Sequence, residues 1–376
     1  MSYLRKILET HSGIVYRHFK LILLLVGIVT IILGIGIKDL ELESDVTEQM
    51  PQHLPIFQLN DRIENNFAGE DTIFLLFKLD EDVKIQERPT DILSPEIMDY
   101  IDNMHNLLEK ENKIVSVQSL SPVIESTRQR HGELTTENMQ AALEQNPMAK
   151  EFVSSDRKKT IMILSTDIGG SEEQTRDINQ MLDEKIDGLS KPAGTSIMVT
   201  GNPPLRNVIL DLLRSDAVTT LAIAFIIILV MLVILQSSLR RALMIGIPLL
   251  LAIVWTAGTL SWLGIKLSFA TAGLGAMILG LGVEYGIFML SRYREERAKR
   301  NLRITTKETI TNVGVAIIGS GSTTIVGFLA LTFSIIPMMQ NLGLSLAIGI
   351  VYCIIATVAI LPALIIATEK LYGVKI

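Results

Sequence analysis

Cysteine is almost absent from this 376-residue chain: Cys353 is the only one, so no disulfide can form within the chain. Histidine is scarce as well, and His53, His105 and His131 are too far apart in the sequence to match the ligand spacing of a metal site. No nucleophile with a matching base is visible. We therefore expect no metal, no cofactor and no enzymatic activity.

Charge is also missing from long stretches of the sequence. Hydrophobic residues make up 48% of the chain, and no charged side chain lies between Thr309 and Thr368. A helix that crosses a bilayer needs about 20 apolar residues, so this run is long enough to fold back and supply two spans. Together with four other apolar runs it predicts six transmembrane helices, at 21–37, 217–239, 242–265, 267–291, 311–335 and 342–367.

The charges that are present are divided unevenly along the chain. Residues 39–216 hold 34 acidic and 17 basic side chains, whereas the rest of the chain holds 6 acidic and 17 basic ones. An acidic exterior gives no support for nucleic-acid binding. The positive-inside rule places the basic N-terminus, the Arg240-Arg241 turn, the connector 292–310 and the C-terminus in the cytoplasm. We therefore predict a multi-pass protein of the cytoplasmic membrane whose acidic segment lies outside.

The acidic segment between the first two predicted helices has the pattern of a folded α+β domain. Apolar runs with strand-like composition predict four strands, at 71–80, 113–120, 160–168 and 195–200. Helical patterns lie between them, and Ser94-Pro95-Glu96 has the features of a helix start. The chain is thus predicted to consist of a cytoplasmic N-terminus with the first helix (1–38), an extracytoplasmic domain (39–216) and five further helices (217–376).

One charged residue lies inside a predicted span. Glu284 is the only charge between residues 267 and 291. An ionised carboxyl in a membrane costs roughly 3 kcal/mol or more, so such residues are rare and a functional role is the default hypothesis. The alternative is a structural role, in which a neutral acid hydrogen-bonds a neighbouring helix. The flanking Gly280, Gly282 and Gly286 are expected to let other helices approach closely.

The fifth predicted helix contains a run of small hydroxyl residues. The segment that begins Gly319-Ser320-Gly321 resembles a phosphate-binding loop, but it lacks the lysine and the preceding strand and lies in hydrocarbon. Helical spacing puts Ser320 and Thr324 on one face, where they could hydrogen-bond Glu284. The hydroxyls could equally bond the preceding turn of their own helix, and the sequence leaves both alternatives open.

Several motifs taken together resemble those of the resistance-nodulation-division (RND) permeases, and most closely the MMPL/Patched-like branch that is related to sterol-sensing domains. The layout is one helix, a large external domain and five helices, and the resemblance covers nearly the whole chain. The motifs are Gly280-Leu-Gly282-Val-Glu284-Tyr285-Gly286, Arg292-Tyr-Arg-Glu-Glu296, Thr323-Thr324-Ile-Val-Gly327-Phe328 and Leu361-Pro362-Ala363.

This resemblance implies a six-helix bundle with a ferredoxin-like porter domain outside the membrane, between helices 1 and 2. It also implies proton-driven export of lipids or other hydrophobic or amphiphilic molecules. The residues expected to couple proton movement to export are Glu284, Tyr285, Ser320, Thr323 and Thr324. Gly280, Gly282, Gly286, Gly321 and Gly327 are expected to form helix-packing surfaces.

The sequence departs from the family pattern in two ways. The intramembrane acid is usually Asp, whereas Glu284 is longer by one methylene. Most members also carry two copies of the six-helix unit in one chain, and this chain carries one, so we predict a homodimer, with a heterodimer left open. Two other functions remain as alternatives: a sterol-sensing-like receptor or scaffold, and an accessory subunit of protein translocation.

Overall fold

The computed structural model describes residues 2–43, 49–59, 71–80, 89–166, 168 and 172–373. In chain order its main elements are α1 (Ser2–Gly36), β1 (Asp71–Leu79), α2 (Pro95–Leu108), β2 (Ile114–Gln118), α3 (Ser121–His131), α4 (Thr136–Gln145), α5 (Pro147–Lys150), β3 (Lys159–Thr166), α6 (Glu172–Gly188), β4 (Thr195–Gly201), α7 (Asn202–Gln236), α8 (Leu239–Trp262), α9 (Leu274–Arg297), α10 (Leu302–Ala330), α11 (Pro337–Ile355) and α12 (Leu361–Tyr372). The chain forms two compact units: Met1–Pro51 with Leu212–Ile376, the membrane unit, and Gln52–Asp211, the α/β unit.

The α/β unit is built on a four-stranded antiparallel sheet with the strand order β2-β3-β1-β4. Alternate residues of the central strand β1, including Ile73, Leu75 and Phe77, are fully buried. They share one hydrophobic core with the apolar faces of α2 and α6, to which Ile101 and Ile178 belong. This alternation is expected for a strand that has one face against a packed layer of helices.

Among the described residues, six helical segments are long and apolar enough to cross a bilayer. They are α1, α7, α8, α9, α10 and the segment that runs from α11 to α12. This number agrees with the six spans predicted from the uncharged runs. The helices extend beyond those runs, however: α1 begins at Ser2 and α7 at Asn202.

The last span contains an irregular turn. A π-helical segment, Ala356–Ile360, lies between α11 and α12, and Pro362 is the second residue of α12. Proline has no backbone N–H, and its ring collides with the carbonyl of the fourth residue before it, which here is Val358. The wider turn relieves that collision.

Ion pairs show which helix ends lie together in the membrane unit. Glu9 near the start of α1 is 3.9 Å from Lys307 of α10, and Glu369 near the end of α12 is 2.9 Å from Arg297 at the end of α9. We call this the basic end of the bundle. At the opposite end, Lys266, in the loop before α9, pairs with a carboxylate that follows α1.

Candidate functional site

The middle of α9 presents Glu284 on the outside of the single chain. Glu284 is exposed, and so are Met277, Gly280 and Phe288. These four residues recur at helical spacing and define one side of the helix, the outer face of α9. Glu284 has no hydrogen-bond or ion-pair partner within the described part of the chain. In a bilayer, its carboxyl would point away from the protein that carries it.

The neighbouring helix α10 continues this surface with small side chains. Ala316, Gly319, Ser320, Thr323 and Gly327 are exposed. An added Cβ atom at Gly319 or Gly327 would meet nothing within 4 Å, and the same is true at Gly280 of α9. Membrane helices use such residues where another helix approaches closely. The outer faces of α9 and α10 therefore have the composition of a helix-packing surface, although this chain leaves them uncovered.

Tyr285 points inward, toward α10. Its side chain is buried, and its hydroxyl lies near the side chains of Ser320 and Thr324. The helix backbone at Gly321 comes close to this hydroxyl, and a Cβ atom there would be 3.5 Å from it. The structure thus brings Tyr285 to the predicted hydroxyl face, while the adjacent Glu284 faces away from it.

The hydroxyls of α10 also bond within their own helix. Thr323 and Thr324 both donate to the carbonyl of Ser320, at 2.7 and 3.2 Å. This is the second of the two alternatives that the sequence left open. Because its proton is used in this way, the Thr324 hydroxyl can act only as an acceptor toward the nearby Tyr285 phenol.

Two glycines of α9 lie at tight helix contacts inside the bundle. A Cβ atom at Gly282 would be 2.6 Å from the Cys353 sulfur, and one at Gly286 would be 2.5 Å from a methyl carbon of Ile245. Real side chains essentially never come so close. The glycines of α9 therefore serve two different faces: Gly282 and Gly286 allow packing within the chain, and Gly280 lies on the open outer face.

A cavity of about 470 Å³ lies between α9 and α10, beside the outer face. Tyr285, Phe288, Asn312 and Ser320 line it. Asn312 is eight residues before Ser320, or about 12 Å along α10 in the direction of the basic end. Asn312 was not among the predicted site residues. Its amide lies in a largely apolar helix, four residues from Ala316 and eight from Ser320, and this position could have identified it.

Comparison with known proteins identifies the family of this chain. The model of the MMPL family matches residues 66–371. The chain belongs to the MMPL family. A membrane protein of Methanocaldococcus jannaschii is 31% identical to it over 370 residues, which are 98% of this chain and 95% of that protein.

Other relatives of this MMPL protein are much longer than the segments they share with it. The siderophore exporter MmpL5 of Mycobacterium tuberculosis is 30% identical over 195 residues, 49% of this chain and 20% of that protein. The sulfolipid-1 exporter MmpL8 of the same species is 29% identical over 98 residues, 26% of this chain and 9% of that protein. The shared segments thus cover a small part of these exporters.

Proposed function

We propose that this MMPL protein is a homodimeric exporter of lipids or other hydrophobic or amphiphilic molecules, driven by the proton-motive force. The observation that carries the proposal is the exposed Glu284 at the middle of a membrane helix. An ionisable residue in that position is a functional hypothesis by default. Two named relatives, one a siderophore exporter and the other a sulfolipid exporter, support the class of activity and the amphiphilic nature of the substrate.

The dimer follows from the cost of leaving Glu284 against lipid. A carboxylate at the centre of a membrane helix costs roughly 3 kcal/mol or more, and a second helix can remove that cost by covering it. The small residues on the outer faces of α9 and α10 allow such a helix to approach. A twofold axis beside α9 is the simplest closed arrangement, because it places the same face of each copy against the other.

The proton-coupling step uses the two protonation states of Glu284. The protonated acid is neutral and is compatible with tight helix packing. The ionised carboxylate needs water or a hydrogen-bond donor. Water in the cavity beside Tyr285 and the hydroxyl group of Ser320 can supply one, whereas Thr323 and Thr324 can donate only after their bonds to the Ser320 carbonyl break. The two states therefore favour different helix arrangements, and a proton gradient that interconverts them can drive a cycle.

The α/β unit is, on this proposal, the porter domain outside the membrane. Its strand order and its two strand–helix–strand connections support a ferredoxin-like fold. The basic end of the bundle carries Arg240, Arg241 and the positive side chains of the 292–310 connector, so the positive-inside rule assigns that end to the cytoplasm. Both termini would then be cytoplasmic, in a protein of the cell membrane.

Transport in proteoliposomes tests the proposal. The purified protein is reconstituted with a panel of fluorescent phospholipid, glycolipid and fatty-acid analogues, and movement is followed with and without an imposed pH gradient. We expect Glu284→Gln to fold and dimerise but to lose gradient-driven movement, Glu284→Asp to keep part of it, and Tyr285→Phe to weaken coupling less than Glu284→Gln. Glu295→Gln, at an exposed carboxylate outside the site, is the matched control.

Two outcomes of this experiment contradict the proposal, and a separate cross-linking experiment tests the dimer. Wild-type rates in Glu284→Gln would mean that the carboxyl is structural. No gradient-driven movement of any analogue by the wild-type protein would favour the receptor, scaffold or translocation-subunit alternatives. For the dimer, a cysteine in place of Gly280 should form a disulfide with its counterpart in a second copy, and a fully active monomer that forms none would exclude the twofold axis beside α9.

A further inference from the structure

A second cavity of the membrane unit, of about 670 Å³, shares no residue with the first. It lies at the basic end, between the first turns of α8 and the last turns of α12. Arg240, Leu243 and Ile247 line it from α8, and Leu364 and Thr368 line it from α12. It opens to the outside of the bundle, so a molecule in the surrounding membrane can reach it.

The lining of this groove changes from charged to apolar along the helix axis. Arg240 is the second residue of α8, and Ile247 lies seven residues further on, about 10 Å deeper along the helix. Leu243 and Ile247 are 37% and 45% exposed and have room for an apolar group against them. A charged rim above an apolar wall matches the two parts of a lipid, whose headgroup lies at the membrane surface and whose chains lie below it.

Arg240 is available for a ligand because no group in the described part of the chain satisfies it. It is exposed and has no ion-pair or hydrogen-bond partner within the residues that the structure describes. Buried carboxylates at the same end have partners already: Glu296 pairs with Arg292 and Arg300, and Glu369 pairs with Arg297. A guanidinium binds phosphate oxygens with two parallel hydrogen bonds, so a phosphate is the group that fits here.

Thr368 adds a second polar contact to the opposite wall. Its hydroxyl donates to the carbonyl of Leu364 at 2.8 Å, so its oxygen can accept a hydrogen bond but has no proton left to give. A headgroup with a hydroxyl donor, such as a glycerol, would satisfy that oxygen.

We propose that this groove binds an anionic glycerophospholipid from the leaflet next to the basic end. The phosphate lies against Arg240, and an acyl chain lies along Leu243, Ile247 and Leu364. Basic groups between membrane helices on the cytoplasmic side are a known basis of anionic lipid recognition. The site is separate from Glu284, and it holds whether or not Glu284 couples protons to export.

Native mass spectrometry of the full-length protein tests the proposal. Phosphatidylglycerol is titrated, and the first bound lipid per chain is quantified for each variant. One basic side chain near a membrane surface contributes about a fivefold increase in affinity for anionic lipid, so Arg240→Gln should weaken this binding by at least that factor. The matched control is Arg303→Gln, because Arg303 is likewise exposed and has no partner within the described part of the chain.

A second pair of variants tests the apolar wall. Ile247→Trp fills the groove and should reduce phosphatidylglycerol binding, whereas Ile227→Trp, at a 62% exposed position on α7 outside the groove, should not. Phosphatidylcholine should bind the wild-type protein at least fivefold more weakly, and millimolar inorganic phosphate should not displace phosphatidylglycerol. In vesicles, phosphatidylglycerol with a photoreactive acyl chain should label α8 at the groove.

The proposal is overturned if Arg240→Gln binds phosphatidylglycerol as tightly as the wild-type protein. It is also overturned if Arg303→Gln weakens binding as much as Arg240→Gln, because the lipid would then be attracted by the overall positive charge of the basic end and not by Arg240. Equal affinity for phosphatidylcholine would show that the groove does not recognise an anion. Displacement by inorganic phosphate would show a phosphate site and no lipid site. Labelling that leaves α8 free would place the lipid elsewhere.

Discussion

Removing the positive charge of Arg297 should destabilise the membrane unit far more than removing that of Lys299, two residues away. The Nε atom of Arg297 is 2.9 Å from Glu369, and the Tyr293 hydroxyl donates to the same carboxylate at 2.7 Å. The Glu369 side chain is only 4% exposed, so it depends on these two donors. Lys299 is 69% exposed, and its partner Glu295 is 3.8 Å away.

The expected magnitudes follow from burial. Arg297→Met leaves a buried carboxylate without its counter-ion, which costs about 3–5 kcal/mol. Adding Glu369→Gln removes the unpaired charge, and the amide oxygen still accepts from Tyr293, so the double variant should recover about 1–3 kcal/mol of that loss. Lys299→Met breaks an exposed pair and should cost less than about 1 kcal/mol.

Steric trapping in lipid bicelles measures these free energies of unfolding at equilibrium. Our explanation is wrong if Arg297→Met and Lys299→Met cost the same, or if the double variant is no more stable than Arg297→Met alone. The result bears on function because Tyr293 is nine residues from Glu284, about 14 Å along α9. The contact with α12 fixes the end of the helix that carries Glu284, the proposed coupling residue.

Two further predictions concern topology and packing. A cysteine in place of Lys299 should react with an impermeant thiol reagent only from the cytoplasm, and a cysteine in place of Glu144 only from outside, because the basic end is assigned to the cytoplasm. The buried Cys353 serves as an internal control. Labelling of the Lys299 site from outside would reverse the topology. Gly286→Ala should lower the free energy of unfolding by about 1–3 kcal/mol, measured by steric trapping, because its methyl group would collide with Ile245. Gly280→Ala should not destabilise the single chain, because its methyl group meets open space. Equal losses in the two variants would refute this distinction.

The six spans could be predicted because the bilayer imposes a simple rule. Every backbone group in hydrocarbon must be hydrogen-bonded internally, so a long uncharged run has to be helical. The same rule does not fix where a helix ends outside the hydrocarbon. α1 therefore extends back to Ser2, across a kink at His18 where the backbone leaves the helical conformation, and α7 begins at Asn202, well before the uncharged run. Hydropathy locates the part of a helix that lies in lipid, and hydrogen bonding with tertiary contacts sets the rest.

The strands could be located by composition, but their neighbours could not. β1 was expected at 71–80 and is found at Asp71–Leu79, and β3 was expected at 160–168 and is found at Lys159–Thr166. Their pairing depends on contacts between residues far apart in sequence, such as Leu75 opposite Met162. A strand pattern specifies which face is buried, and it carries no information on which strand lies alongside.

The direction of each site residue was beyond the sequence for a similar reason. Neighbouring residues of a helix point about 100° apart, so Glu284 and Tyr285 must face different surroundings. The pattern cannot tell which one faces inward, because the glycines on α9 serve both the inner and the outer face. The structure decides this with the buried contacts of Gly282 and Gly286, which fix the inner face and leave Glu284 outside.

The outward direction of Glu284 has a consequence for the proposed dimer. A twofold axis beside α9 brings two copies of Glu284 into one water-poor region, whereas the Tyr285 side chain of each copy lies against its own α10. Two like charges close together in such a region disfavour the state in which both are ionised. In a chain with two unlike halves the two acids can differ in sequence and surroundings, whereas here they are identical. Any difference between them during transport must therefore arise from a departure from exact twofold symmetry.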